Sequence, residues 1–117
     1  MAENNEQNTL KNLVKQCLSI ISTATQKDNE IEMWIDAAKK DMERQNIDVE
    51  SHIDDGLIQG TIVMYVKSNF GFVDVKEKEL AQRTYKDLCT NLSLSNSYLM
   101  GVDADAWCKL QIIIYHH

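Results

Sequence analysis

Proline is absent from this chain and glycine occurs only four times. An all-β sandwich or barrel needs turn punctuation at short intervals, so that class is excluded and helices with few tight turns are favoured. Cysteine is sparse as well. Cys17, Cys89 and Cys108 are odd in number and widely spaced, with no CxxC and no Cys/His cluster, which removes a disulfide framework and a structural zinc site. They suit reduced thiols packed in the core of a cytosolic protein. Basic residues are the minority, with 12 Lys and Arg against 18 Asp and Glu and a net charge of −6. A protein that binds by neutralising phosphates needs clustered Lys and Arg, and no such patch is visible. No apolar run approaches the roughly 20 residues that cross a bilayer, and no signal peptide is present.

Catalytic signatures are missing too. His52 sits among carboxylates in a loop, and His116 and His117 end the chain. No Ser/His/Asp or Cys/His arrangement has a recognisable context, and there is no phosphate-cradling glycine loop, HExxH or calcium-loop spacing. The expectation is a non-enzymatic protein with no catalytic, cofactor-binding or metal site and no cofactor.

What remains is helical patterning in a chain of 117 residues, the length of one domain with one core. The stretch Asp54–Phe72 organises it. Leu57, Ile58, Ile62, Val63, Met64, Tyr65, Val66 and Phe70 point in almost every direction at 100° per residue, and a helix apolar all round is a buried one. Its cover must come from other helices. Gly60 costs helix propensity, which predicts another backbone packing close there, and Gly71 is predicted in the left-handed position that ends the helix.

The remaining helices are amphipathic. Met1–Asn8 reads as a flexible polar tail, followed by a helix capped by Thr9 with Leu10, Leu13, Val14, Cys17, Leu18 and Ile21 on one face. After a Ser/Thr-rich connection, with Thr25 or Asp28 as cap, a helix over 28–45 carries the stripe Ile31, Trp34, Ile35, Ala38 and Met42. Glu32, Asp36, Lys39, Lys40 and Glu43 lie opposite as a solvated face with i,i+4 pairs, and Asn46 suits the left-handed C′ position. A polar 48–55 connection leads to the central helix, with Asp54 or Asp55 favourable at its N-terminus. Asp74 and Glu77 have capping-box spacing ahead of a fourth helix reaching about Leu92, whose inward stripe is Ala81, Tyr85, Leu88 and Leu92. Trp34, Tyr65 and Phe70 are assigned to the core first.

The C-terminal stretch changes period. Cys108, Leu110, Ile112 and Ile114 alternate with polar residues at 109 and 111, the pattern of a strand with one covered face. No partner strand is evident in the chain, so the segment either pairs with another copy or protein or lies over the monomer's own helices. Trp107, Leu110, Ile112, Ile113, Ile114 and Tyr115 are the candidate protein-interface residues. The predicted fold is all-α, a compact bundle of four helices with a short C-terminal strand or extended arm. Its organisation is a tail at 1–8, a helical domain at 9–99 and the arm at 100–117.

Three strings, IEMWIDAAKKDMERQNID at Ile31–Asp48, IQGTIVMYVKSNFG at Ile58–Gly71 and YKDLCTNLSLSNSY at Tyr85–Tyr98, follow one another in the helix order just described. In that order the chain resembles the small head-tail connector, or DNA-packaging, proteins of tailed bacteriophages and prophages, over about Thr9–Leu99. The resemblance implies a structural subunit that assembles as a ring, often dodecameric, beneath the portal. Such a ring extends the DNA channel without sequence-specific binding and docks the next neck or tail protein. It implies a place in the virion neck, with the host bacterial cytoplasm before assembly, no membrane partner, and a subunit compatible with a monomeric state in isolation. The other reading left by the residues is a small bacterial helical adaptor or regulatory module that binds a protein partner.

Overall fold

The computed structural model describes residues 2–21, 23–71 and 73–100, with side chains from Thr9 onward in the first helix. Four helices follow in order: α1 (Ala2–Cys17), α2 (Asp28–Arg44), α3 (Gly56–Asn69) and α4 (Val75–Ser93), with 3₁₀ turns at Glu50–His52 and Asn96–Tyr98. Helix α3 packs against α1, α2 and α4, as its all-round apolar surface requires. Ile58, Thr61, Ile62, Val63 and Val66 of α3 are buried, and Phe70 just beyond it is fully so. The one buried hydroxyl in that set is satisfied locally, since Thr61 Oγ1 donates to the Leu57 carbonyl at 2.7 Å. Leu10, Val14 and Leu18 cover one side of α3, and Ile31, Ile35, Ala38 and Met42 cover another. Tyr85, Cys89 and Leu92 of α4 complete the core.

Helix ends are set by local chemistry. Asp55 caps α3, its carboxylate accepting the Leu57 amide at 2.8 Å. Asn46 takes the left-handed conformation (φ 69°) after α2, as expected; its amide donates to the Glu43 carbonyl and that of Ile47 to the Met42 carbonyl. This is a Schellman ending, with Ile47 and Met42 both buried beside it. Helix α1 ends in the same motif. Ser19 (φ 61°) occupies C′, and the Ile20 amide reaches back to the Lys15 carbonyl at 2.8 Å.

Several expectations are corrected. The backbone of α1 begins at Ala2, so Thr9 is inside the helix; once Leu10 and Val14 anchor a turn, each further residue adds one hydrogen bond at little cost. The Ser19 turn stops α1 at Cys17, which leaves Ile21 exposed, and Cys17 is an exposed thiol rather than a core one. Lys27, without a side-chain bond, stands at the α2 N-cap in place of Thr25 or Asp28. Asp74 occupies the α4 N-cap with no side-chain cap hydrogen bond, so the capping box does not form. Among the described residues a Cβ at Gly60 would meet nothing within 4 Å, so none of their backbone packs close there. Gly71 does not take the left-handed conformation: α3 unwinds through an extended Phe70 (φ −76°, ψ 131°) that turns its ring into the core. The inward stripe of α4 passes through Cys89 while Leu88 is half-buried, and Trp34 and Tyr65 are half-buried at the core's margin. The nominally polar 48–55 connection buries Val49 and Ile53. No strand occurs among the described residues; the period-2 segment at 108–114 lies outside them.

Candidate assembly surface

The end of the described chain folds back onto the turn after α2. Ile47 and Leu99 form an isolated antiparallel bridge, in which the Asp48 amide donates to the Tyr98 carbonyl at 2.7 Å and the Met100 amide to the Asn46 carbonyl at 2.8 Å. Tyr98 reinforces the return. Its hydroxyl donates to Asp55 Oδ2 at 2.5 Å and its ring lies 4.8 Å from that of His52, centroid to centroid. Asp55 therefore serves twice, as the cap of α3 and as the anchor of the returning chain. The Tyr98 hydroxyl, with the Leu57 amide, holds its carboxyl below the usual carboxylate range, and the same bond pushes the Tyr98 hydroxyl up.

Between α2, the C-terminal end of α3 and α4 runs a groove of about 810 Å³. Its floor is a polar cluster tied to an aromatic one. The Tyr85 hydroxyl donates to Asp41 Oδ2 at 2.5 Å, Gln45 Nε2 donates to the same oxygen at 3.1 Å, and Arg44 pairs with Asp41 Oδ1. The rings of Tyr65 and Tyr85 meet edge to face at 5.1 Å, with Trp34 6.4 Å beyond Tyr65. Burial, then Asp41, raises the Tyr85 hydroxyl far above its ordinary range, and burial raises the Cys89 thiol, so neither is an activated nucleophile near neutral pH. The cluster holds helices together and offers no chemistry of its own.

A second polar node fastens α1 to the start of α2. Lys15 is 2 % exposed, and its Nζ lies 2.5 Å from Asp28 Oδ1 while donating to the Ala24 carbonyl at 2.9 Å. Lys11 supports the same carboxylate at 3.6 Å and reaches Glu32 at 3.4 Å. Lys15 holds the Asp28 carboxyl below its usual range. Nothing in the sequence distinguishes Lys15 from its exposed neighbours, because the apolar stripe that defines α1 runs past it.

Outward-facing apolar side chains are candidates for contact with other proteins. Met33 on α2, Val75 and Leu80 on α4, and Leu94 after it are all more than half exposed. The interface residues expected from sequence, Trp107, Leu110, Ile112, Ile113, Ile114 and Tyr115, lie outside the described residues. Among the described residues there is no grouping of His, Cys, Asp and Glu able to hold a metal ion, and no helix is long and apolar enough to cross a membrane.

A family model described as phage connector protein matches residues 11–99. This chain belongs to the phage connector family. The matched region takes in α2, α3, α4 and the C-terminal part of α1 from residue 11, and it ends on Leu99, the residue that closes the bridge to Ile47. It also coincides with the stretch that carries the resemblance to head-tail connectors. No curated protein and no solved structure matches the chain. The connector is thus a structural component of a phage particle rather than an enzyme, acting with other head and tail proteins.

Proposed function

We propose that the connector forms a ring beneath the portal of a tailed phage or prophage, lengthens the DNA channel and docks the next neck or tail protein. The observation that carries this reading is the family match over residues 11–99, which includes α2, α3, α4 and the C-terminal part of α1. A dodecamer matched to the portal is the expected closed form, built from head-to-tail contacts between identical subunits. The subunit is monomeric in isolation and closes into a ring on the portal as template. Its site of action is the virion neck, after a period in the host bacterial cytoplasm.

Two properties support the reading. A net charge of −6 suits a channel wall, because negative surface repels the duplex and lets it slide where a basic lining would hold it. The exposed Met33, Val75 and Leu80 provide apolar surface on outer helix faces that neighbours in a ring would cover. Trp107, Leu110, Ile112, Ile113, Ile114 and Tyr115 are assigned to gripping the portal or an adjacent subunit, since an apolar run of this kind needs a cover. The test is co-migration of the full chain with the portal protein of its own phage in size-exclusion chromatography. Wild type should co-migrate and Ile113→Asp should not; a wild-type chain that ignores the portal contradicts the proposal.

A further inference from the structure

We propose that the groove between α2 and α4 docks an acidic, aromatic-bearing segment of an adjoining protein of the particle, held by Lys40, Arg44 and Lys86 at its rim and by Tyr65 on its floor. The inference rests on the connector's role as a docking subunit and adds the chemistry of what it receives. The first argument is charge. The chain as a whole carries −6, yet the groove and the shallower hollow that continues it past Tyr65 are lined by Lys40, Arg44 and Lys86 against the single carboxylate of Asp41. Both Asp41 oxygens already accept hydrogen bonds, Oδ1 from Arg44 and Oδ2 from Tyr85 and Gln45, and that side chain is only 19 % exposed. Arg44 stays 79 % exposed with further N–H donors. Neither Lys40 nor Lys86, both exposed, pairs with a carboxylate among the described residues. The lining therefore turns its anion inward and its cations outward.

The second argument is the floor. Tyr65 lines both hollows and is half-buried, with its ring set edge to face on Tyr85 at 5.1 Å and with Trp34 at 6.4 Å. A ring already fixed by two others loses little freedom when a further aromatic side chain is laid against it. Arginine beside such rings is the composition in which protein interfaces concentrate their binding energy, and a guanidinium takes a carboxylate through two parallel hydrogen bonds.

The third argument separates a protein segment from DNA. A duplex is held by many cations following its phosphates, and three cations on a chain of net charge −6 supply no such track. The groove's volume, about 810 Å³, is that of a site enclosing a few side chains.

The experiment is an NMR titration of the isolated, isotope-labelled full chain without portal, so its outcome is separate from that of the ring proposal. The probe is a short synthetic peptide of alternating glutamate and tryptophan, and the control peptide carries lysine in place of glutamate. Amide shifts should gather around Arg44, Tyr65 and Lys86 with the acidic peptide and be absent with the lysine one. Lys40→Glu and Lys86→Glu leave the Asp41 cluster in place, and each should weaken binding severalfold with unchanged far-UV circular dichroism. Lys76→Glu, exposed near the start of α4 and away from the groove, makes the same change in net charge and should leave binding as it was. No shifts, shifts scattered over the surface, an equal response to the lysine peptide, or equal weakening by Lys76→Glu would each overturn the proposal. So would a short DNA duplex that moves the same amides more strongly than the peptide. Movement of those amides as the chain alone is concentrated would give the groove to a second copy and overturn it as well.

Discussion

Replacing Gly60 by alanine should stabilise the connector. Gly60 lies in the interior of α3, the helix that every other helix touches, and a Cβ built there meets no atom within 4 Å. Alanine is favoured over glycine inside a helix by about 0.8–1 kcal/mol, largely because the unfolded chain loses freedom that the helix never used. With no contact to strain, that gain should appear almost whole. For a domain of this size 1 kcal/mol moves the melting temperature by about 4–8 °C, and the urea midpoint should rise by about 0.5–1 M. Ile62→Ala, two residues on and fully buried, sets the opposite limit. It removes three carbons at about 0.8 kcal/mol each and leaves a cavity, for a loss of about 3 kcal/mol or more. Thermal and urea unfolding followed by far-UV circular dichroism read both. A destabilised Gly60→Ala would mean that a neighbour does press on that position, and a harmless Ile62→Ala would remove α3 from the centre of the core.

Val66→Asp should prevent folding outright, because it places a charge without a partner at a fully buried position; a soluble, cooperatively melting variant would contradict the architecture. Lys15→Ala should lower stability, because it takes the nearest cation from the Asp28 carboxylate while Lys11 still faces it, and urea titration would expose a neutral result. Lys15 holds the Asp28 carboxyl, and Tyr98 the Asp55 carboxyl, below the ordinary value of 3.8. Each folded value lies under the unfolded one, so the stability these groups add is whole above about pH 4 and drains away as the pH falls through the folded values. Melting temperature should accordingly be level from about pH 7 to pH 5 and decline below about pH 4, and a melt that improved on acidification would refute the assignment. Deleting Trp107–Tyr115 should leave the helical dichroism nearly unchanged while abolishing co-migration with the portal; collapse of the fold would show that the segment belongs to the core.

The parts of the fold legible in the sequence are those where a period reports burial. Ile31, Ile35, Ala38 and Met42 are spaced for one face and all are buried, and Asn46 ends that helix in the conformation its short polar side chain tolerates. The α3 rod was legible over most of its length, with Ile58, Ile62, Val63 and Val66 buried, but Leu57 in its first turn is exposed where the all-round apolar pattern predicted burial. Irregular backbone carries no period, which hides Ile47, Val49 and Ile53, buried in the turn and connection that precede α3. A buried cation defeats pattern reading in another way: Lys15 looks like any surface lysine until Asp28 and the Ala24 carbonyl are brought to it from α2 and the intervening turn. Glycine identity permits a conformation without requiring it, so Gly60 and Gly71 pointed to features that packing did not need. The Asp41–Tyr85 and Asp55–Tyr98 bonds join residues far apart in the chain, and no local signal announces them. The interface residues at 107–115 came from alternation and composition alone, and their role rests on the proposals above.

Electron microscopy of the connector mixed with the portal from its own phage addresses the ring most directly. Closed, portal-matched density attached to the portal, with the α1–α4 bundle as the repeating unit, is the predicted image. Portals that stay bare, or that carry scattered single subunits with no rotational order, would contradict it.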